Sequence, residues 1–102
     1  MKRLTVQRRA MRDLADARAY YRREAAHMLV DFAITVDSEF LHLRRHSDTG
    51  SPRYGLQLGI PGLRSWPVNK FPHIIFYMVE DTRIVVLRVL HQANDIPAHL
   101  AP

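Results

Sequence analysis

The spacing of hydrophobic positions changes along the chain, and each change marks an element. Leu4-Thr5-Val6 is a short apolar, β-branched piece that predicts a first strand of about five residues. From Arg8 the period lengthens. Ala10, Leu14, Ala17 and Tyr21 recur at spacings of four, three and four with charges between them, which predicts an amphipathic helix with a narrow apolar seam. The pattern breaks near Tyr21-Arg22-Arg23-Glu24 and restarts. Ala26, Leu29, Ala33, Val36, Phe40 and Leu43 alternate spacings of three and four, and Val30, Ile34 and Leu41 widen that face. This predicts a second helix from Glu24 to Arg45, ended by Asp48-Thr49-Gly50-Ser51-Pro52. Two helices joined by a short link predict an antiparallel helical hairpin.

The stretch from Ser47 to Pro61 holds three of the four glycines and two of the six prolines, and it predicts a mobile loop. Strand pattern returns at Leu63 to Val68, at Ile74 to Val79, and after a Glu80-Asp81-Thr82 turn at Ile84 to Leu90. The short turn implies an antiparallel pair. In the last strand both parities are apolar: Val85, Leu87 and Val89 on one side, Ile84, Val86 and Leu90 on the other, with Arg88 the interruption. Such a strand is central, or is covered by helices on one side and by a partner on the other. The order is β-α-α-β-β-β. It predicts an α+β fold with a helical hairpin packed on an antiparallel sheet, as a single domain over residues 1–102.

Composition narrows the function classes. Hydrophobic residues make up 47% and charged residues 25% of the 102, an ordinary globular balance. There is no cysteine, which excludes a disulfide scaffold and thiol catalysis and fits a reducing cytoplasm. No apolar run is long enough to span a bilayer, so a cytoplasmic location without membrane contact is expected. The net charge of +5 and a pI near 10.2 point to an anionic partner. The cations are uneven: Lys2, Arg3, Arg8, Arg9 and Arg12 crowd the N-terminus, and Arg22-Arg23 and Arg44-Arg45 follow as pairs.

Candidate chemistry is sparse. His42 and His46 share a helix face, but Leu43, Arg44 and Arg45 lie between them. With two cations and no carboxylate nearby, this spacing fits histidines favoured by a helix C-terminus better than a metal site. No serine lies in a nucleophile-elbow context, and Gly55, Gly59 and Gly62 do not open a phosphate-binding helix. Neither cofactor nor metal is expected. Metal-free RNA cleavage is the remaining enzymatic reading. Arg64, Lys70, Arg83 and Arg88 supply cations, and His73, Tyr77 and His91 supply acid–base groups. Tyr77 reads more simply as a core aromatic whose hydroxyl is satisfied at the sheet edge.

The C-terminal half carries a longer pattern: Gly62-Leu63-Arg64-Ser65-Trp66-Pro67-Val68, Phe71, Ile74-Ile75-Phe76-Tyr77, Ile84, Leu87-Arg88-Val89-Leu90-His91 and Asp95-Ile96-Pro97. It resembles the ParE toxins, in the RelE/ParE superfamily of bacterial type II toxin–antitoxin systems. The likeness extends back through Gly50-Ser51-Pro52-Arg53 and, more weakly, through Tyr20-Tyr21 and Ala25-Ala26. It implies the same element order. It also implies a toxin silenced by a co-expressed antitoxin whose C-terminal segment wraps it, and a free toxin that poisons DNA gyrase by binding, with growth arrest and plasmid stabilisation as outcomes. The expected target-binding residues are Arg88, His91, Asn94 and Asp95. The expected antitoxin-binding residues are Arg12, Tyr20, Phe76, Val85 and Leu87, on the supposition that a partner covers the second apolar face of the last strand. No small-molecule substrate is expected. The alternative is a RelE-like ribosome-dependent mRNA endoribonuclease, for which Arg64, Lys70 and His91 would be the catalytic groups. The chain departs from that pattern: His73-Ile74 and Gln92-Ala93 stand where arginines are expected, and no tyrosine follows His91. Asn94 also stands where ParE sequences often carry arginine before the aspartate.

Overall fold

A computed structural model describes residues 1–101; Pro102, the end of the expected domain, lies outside the described residues. Strand β1 (Arg3–Val6) leads into helix α1 (Arg8–Glu24), a 3-10 turn (Ala26–Met28) and helix α2 (Leu29–Arg45). A second 3-10 turn (Ser47–Thr49) and the short helix α3 (Arg53–Leu58) follow. Then come β2 (Leu63–Pro67), β3 (His73–Val79), β4 (Arg83–His91) and the C-terminal helix α4 (Ile96–Leu100). The sheet order is β1-β4-β3-β2. Strand β4 is therefore central, as its apolar composition implies. The expectation of an antiparallel sheet is corrected: β2–β3 and β3–β4 are antiparallel, but β1 runs parallel to β4, with Leu4 opposite Ile84 and Val6 opposite Val86. The helices carry the chain back to the side of the sheet where β1 began, so β1 meets β4 in the same direction.

Helix α1 follows its seam. Ala10, Leu14 and Tyr21 are buried and Ala17 packs against them. Helix α2 differs from expectation in start and phase. Ala25 leaves the helical region at φ −157° and ψ 64°, so α2 begins at Leu29, after the 3-10 turn. Its buried residues are Phe32, Val36 and Leu43. Ala33 faces outward, and so do Val30, Ile34 and Leu41, which had been expected to widen the buried face. The helix is fixed at its far end by Lys2, whose amide donates to the Arg44 carbonyl (3.1 Å) while Arg44 Nε donates back to the Lys2 carbonyl (2.9 Å).

The sheet separates two apolar clusters. On one face, α1 and α2 pack against Ile75, Tyr77, Ile84, Val86 and Val89. On the other, Leu63, Phe76, Leu90 and Ile96 are buried among Tyr54, Ile60, Leu87 and Leu100. The chain thus covers its own second face with the α3 segment and α4. The parity read along β4 breaks at a bulge: Phe76 pairs with Arg88 but Tyr77 with Val86, leaving Leu87 as the extra residue. Val86 and Val89, three apart, consequently share the helix face, while Leu87 and Leu90 share the other.

The stretch from Ser47 to Pro61 is not a plain loop. Ser51 and Ser65 exchange two backbone hydrogen bonds, 2.8 and 2.9 Å, which covers the β2 edge. The Tyr77 hydroxyl accepts from the Gly50 amide (2.9 Å) and donates to the Ser47 carbonyl (2.8 Å), so its satisfaction at the edge is as expected. Gly50 is required there, because a Cβ would overlap the Tyr77 ring and hydroxyl.

Candidate functional site: a groove between α1 and the end of β4

A groove of about 700 Å³ lies beside α1, bounded by the end of β4, the turn after it and the start of β3. Helix α1 contributes Asp13, Asp16, Tyr20 and Glu24, which recur at spacings of three, four and four. That is the period of the buried seam, displaced by one flank, so the helix that packs on the sheet also lines the groove. His73, His91 and Asn94 form much of the rest of the wall.

Arg88 and Asp13 close one end. Arg88 Nε and Nη2 donate to the two carboxylate oxygens of Asp13 at 2.7 and 2.8 Å, and Arg88 Nη1 donates to the His99 carbonyl at 3.0 Å. Asp13 also accepts the Val89 amide at 3.0 Å, which occupies the β4 edge beyond the end of β1. Both side chains are about nine-tenths buried. The Asp13 hydrogen bonds push the Arg88 pKa above its ordinary value. Arg9 donates to the same His99 carbonyl at 3.1 Å, so two arginines hold α4 in place.

The histidines differ in state. His73 is 8% exposed, packs on Tyr21 and Phe32, and pairs across the strands with His91, ring to ring at 5.4 Å. Burial, and then the neighbouring His91, lower its pKa from 6.5 to about 4, so the ring is neutral near pH 7. Its Nδ1 has no hydrogen-bond partner. His91 is half-buried, and its Nδ1 accepts the Ala93 amide at 3.0 Å, which places the neutral ring's proton on Nε2.

The groove therefore brings together Arg88, His91 and Asn94 of the expected target-binding set and Tyr20 of the expected antitoxin-binding set. Asp95 is exposed just outside it and precedes α4. Arg88 is not a free surface cation: its guanidinium is committed to Asp13 and His99. The supposition of an open second sheet face is corrected. Phe76 is fully buried and stacks edge-on against Tyr54 at 5.3 Å, Val85 is 5% exposed, and Leu87 packs in the same cluster as Phe76. Phe76 and Leu87 meet the chain's own α3 segment and α4. Arg12 is exposed on the outer side of α1.

The three groups named for cleavage are not gathered. Arg64 donates through Nη1 to the carbonyls of Asp48 (3.2 Å) and Gly50 (2.8 Å) and lines a different groove, next to α3. Lys70 stands in the β2–β3 turn with φ 69°. His42 stacks on Trp66 at 4.7 Å and its Nε2 bonds the Thr49 hydroxyl at 3.1 Å, with His46 beside it. Among the described residues no group of three or more His, Asp or Glu is arranged to hold a metal ion, and no helix is long and apolar enough to cross a membrane. Asp13, Asp16 and Glu24 were missed in the sequence reading. Their shared spacing was visible, but acidic residues among arginines on a helix read first as solvated charge.

Comparison with known proteins agrees with this architecture. Residues 4–96 match the model of a family described as the ParE toxin of type II toxin–antitoxin system, parDE. The chain is 31% identical over 101 residues to Toxin ParE1 of Caulobacter vibrioides, covering 98% of this chain and 99% of that one. Among solved structures it is similar to the chromosomal ParDE TA system from P. aeruginosa. That likeness has a TM-score of 0.72 and 19% identity, and covers 89% of this chain and 96% of the other.

Proposed function

The chain belongs to the ParE toxin family and is the toxin of a type II toxin–antitoxin system, and from that premise we propose that it arrests growth by gripping DNA gyrase in the cytoplasm rather than by cutting a bond. The observation that carries this reading is the dispersal of the candidate catalytic groups. Arg64 is tied to two backbone carbonyls, Arg88 to a buried carboxylate, and His73 is buried and neutral. General acid–base chemistry needs such groups within hydrogen-bond reach of one reacting atom, and here Arg64 and His91 face different grooves. A binding toxin needs only a shaped surface, and the α1 groove with the His91–Asp95 turn beside it supplies one.

The system to which the toxin belongs includes an antitoxin. We place the antitoxin on the outward side of α2, where Val30 (67% exposed), Ile34 (62%) and Leu41 (37%) form an apolar stripe one helix face wide. Covering such a stripe is worth about 25 cal/mol per Å² of apolar area, before the antitoxin's ordering cost. Tyr20 and Arg12 remain exposed for the same partner; Phe76 and Val85 do not.

Purified toxin incubated with gyrase and supercoiled plasmid should accumulate cleaved plasmid after denaturation of the protein. A parallel translation reaction should leave its mRNA intact. Cleaved mRNA beside intact plasmid would overturn the proposal in favour of a ribonuclease.

A further inference from the structure

We propose that the outer face of α1 binds the phosphate backbone of duplex DNA, so that the free toxin grips the DNA its target holds as well as the target itself. The proposal rests on the toxin reading above only for the choice of DNA; the phosphate chemistry comes from the helix.

The buried seam of α1 is Ala10, Leu14, Ala17 and Tyr21, at spacings of four, three and four. Two residues before each of the first four steps, about 200° round the helix, stand Arg8, Arg12, Ala15 and Ala19, and three residues further on stands Arg22. All five are exposed, so this line faces directly away from the sheet. Of the six arginines on α1, only Arg9 and Arg23 have side-chain hydrogen bonds among the described residues, to the His99 carbonyl and the Glu24 carboxylate. Arg8, Arg12 and Arg22 are thus unpaired. The carboxylates of the helix, Asp13, Asp16 and Glu24, all stand on the groove flank.

This arrangement costs the helix stability. A face that serves only solvation mixes charges four residues apart, whereas Arg8 and Arg12 are like charges at that spacing. Arg8 and Arg9 occupy the first turn, where the helix dipole disfavours cations; no acidic residue balances them there and Gln7 supplies no side-chain cap. A polyanion laid along the line offsets each of these costs. Arg8 to Arg22 spans about 21 Å, the length of about six base pairs. Ala15 and Ala19 keep the middle of the line low, so a ridge of phosphates can approach between guanidiniums, whose planar forks match phosphate oxygens. For a folded acidic protein the line lacks an anchor, since it holds no apolar side chain larger than alanine. It also holds no Asn or Gln, so the contact is to phosphates and not to base edges. An antitoxin reaching Arg12 covers one end of the line, so the DNA contact belongs to the free toxin.

The test is a fluorescence-anisotropy titration of the full chain against a labelled, random-sequence DNA duplex long enough to span the line. Three phosphate contacts predict a slope of log affinity on log salt of about −2.7, a loss of about 40-fold between about 50 and 200 mM. Arg8→Gln/Arg12→Gln/Arg22→Gln should bring the slope close to zero, and its urea midpoint should not fall, because the three side chains have no partner to lose. Arg3→Gln/Arg45→Gln/Arg53→Gln removes the same charge from other exposed positions and should keep the parent slope. Equal losses in the two triple variants would mean that net charge and not the line holds DNA, which overturns the inference. So would no binding by the parent at low salt, or tighter binding to an RNA duplex of equal length or to a polyglutamate peptide of equal charge. With gyrase present, the Arg8/Arg12/Arg22 variant should trap less cleaved plasmid than the parent. If the parent traps none, it is the toxin reading that fails, and the anisotropy titration still decides what the face of α1 holds.

Discussion

Removing the Arg88 side chain leaves the Asp13 carboxylate against the β4 edge without its counter-charge. Breaking a buried pair in this way costs about 3 kcal/mol, so Arg88→Ala should be strongly destabilised in urea unfolding. Asp13→Ala/Arg88→Ala should be less destabilised than the two single losses added together. Arg88→Lys should not rescue, because an ammonium lacks the two-pronged geometry seen at 2.7 and 2.8 Å. Any loss of toxicity at this position therefore reflects folding before it reflects target contact. His73 gives a pH signature. Folded His73 stays neutral down to about pH 4, whereas the unfolded chain takes up its proton near 6.5. The unfolded state thus binds more protons between these values, and stability falls as pH drops through that window, by up to about 3 kcal/mol. His73→Phe should flatten this dependence in unfolding midpoints measured from pH 7 to pH 4, since it keeps an aromatic ring among Tyr21, Phe32 and Phe71 and removes the titrating group.

At the scale of elements, the Ser47–Gly50 turn hangs on one hydroxyl. Tyr77→Phe strands the Gly50 amide and the Ser47 carbonyl, a loss of about 1–3 kcal/mol, and amide exchange at Gly50 should accelerate well beyond that of the β3–β4 hydrogen bonds. Unchanged protection at Gly50 would mean that Ser51–Ser65 pairing holds the turn without Tyr77. This anchor was half legible in sequence: Tyr77 read correctly as a core aromatic, but its partners lie about thirty residues away, beyond any local pattern. Helix α1 was fully legible because charged residues surround its seam and leave one orientation. Helix α2 was not. From Val30 to Val36 its apolar residues, Val30, Phe32, Ala33, Ile34 and Val36, surround the axis, so no polar face fixes which side turns inward. Phe32 took the core position and Ile34 the surface. The parallel seat of β1 was likewise hidden, since four residues specify a strand but not its neighbour. The candidate site was legible at His91 and Asn94, which end an apolar run, and illegible at Asp13, whose role depends on a contact 75 residues away.

For the molecule as a whole, the surface divides into a basic outer side of α1, an apolar stripe on α2 and an acidic groove. On the proposed assignment, a partner held through the first would be bound by charge and one held through the second would not. Arg12→Glu should weaken antitoxin binding several-fold at low ionic strength, and the difference should vanish near 1 M salt, where charges are screened within about 3 Å. Ile34→Asp should weaken it equally at both ionic strengths. Titrations at two salt concentrations check both; identical salt slopes for the Arg12 variant and the parent would remove α1 from the interface. The bulged Leu87 bears on how such a chain is able to change over time. Its extra residue shifts the phase of everything after Val86, and with that shift Val89 joins Val86 on the helix face and His91 stands beside His73. Deleting Leu87 would leave Val86 opposite Tyr77 and Arg88 opposite Phe76 as consecutive residues, so the ladder would become regular and Val89 and His91 would keep their face, whereas drawing the present residues into unbroken alternation would turn both to the opposite face. Descendants of this sequence are thus free to lose the extra residue of β4 without turning His91, but not to keep that residue and lose the bulge.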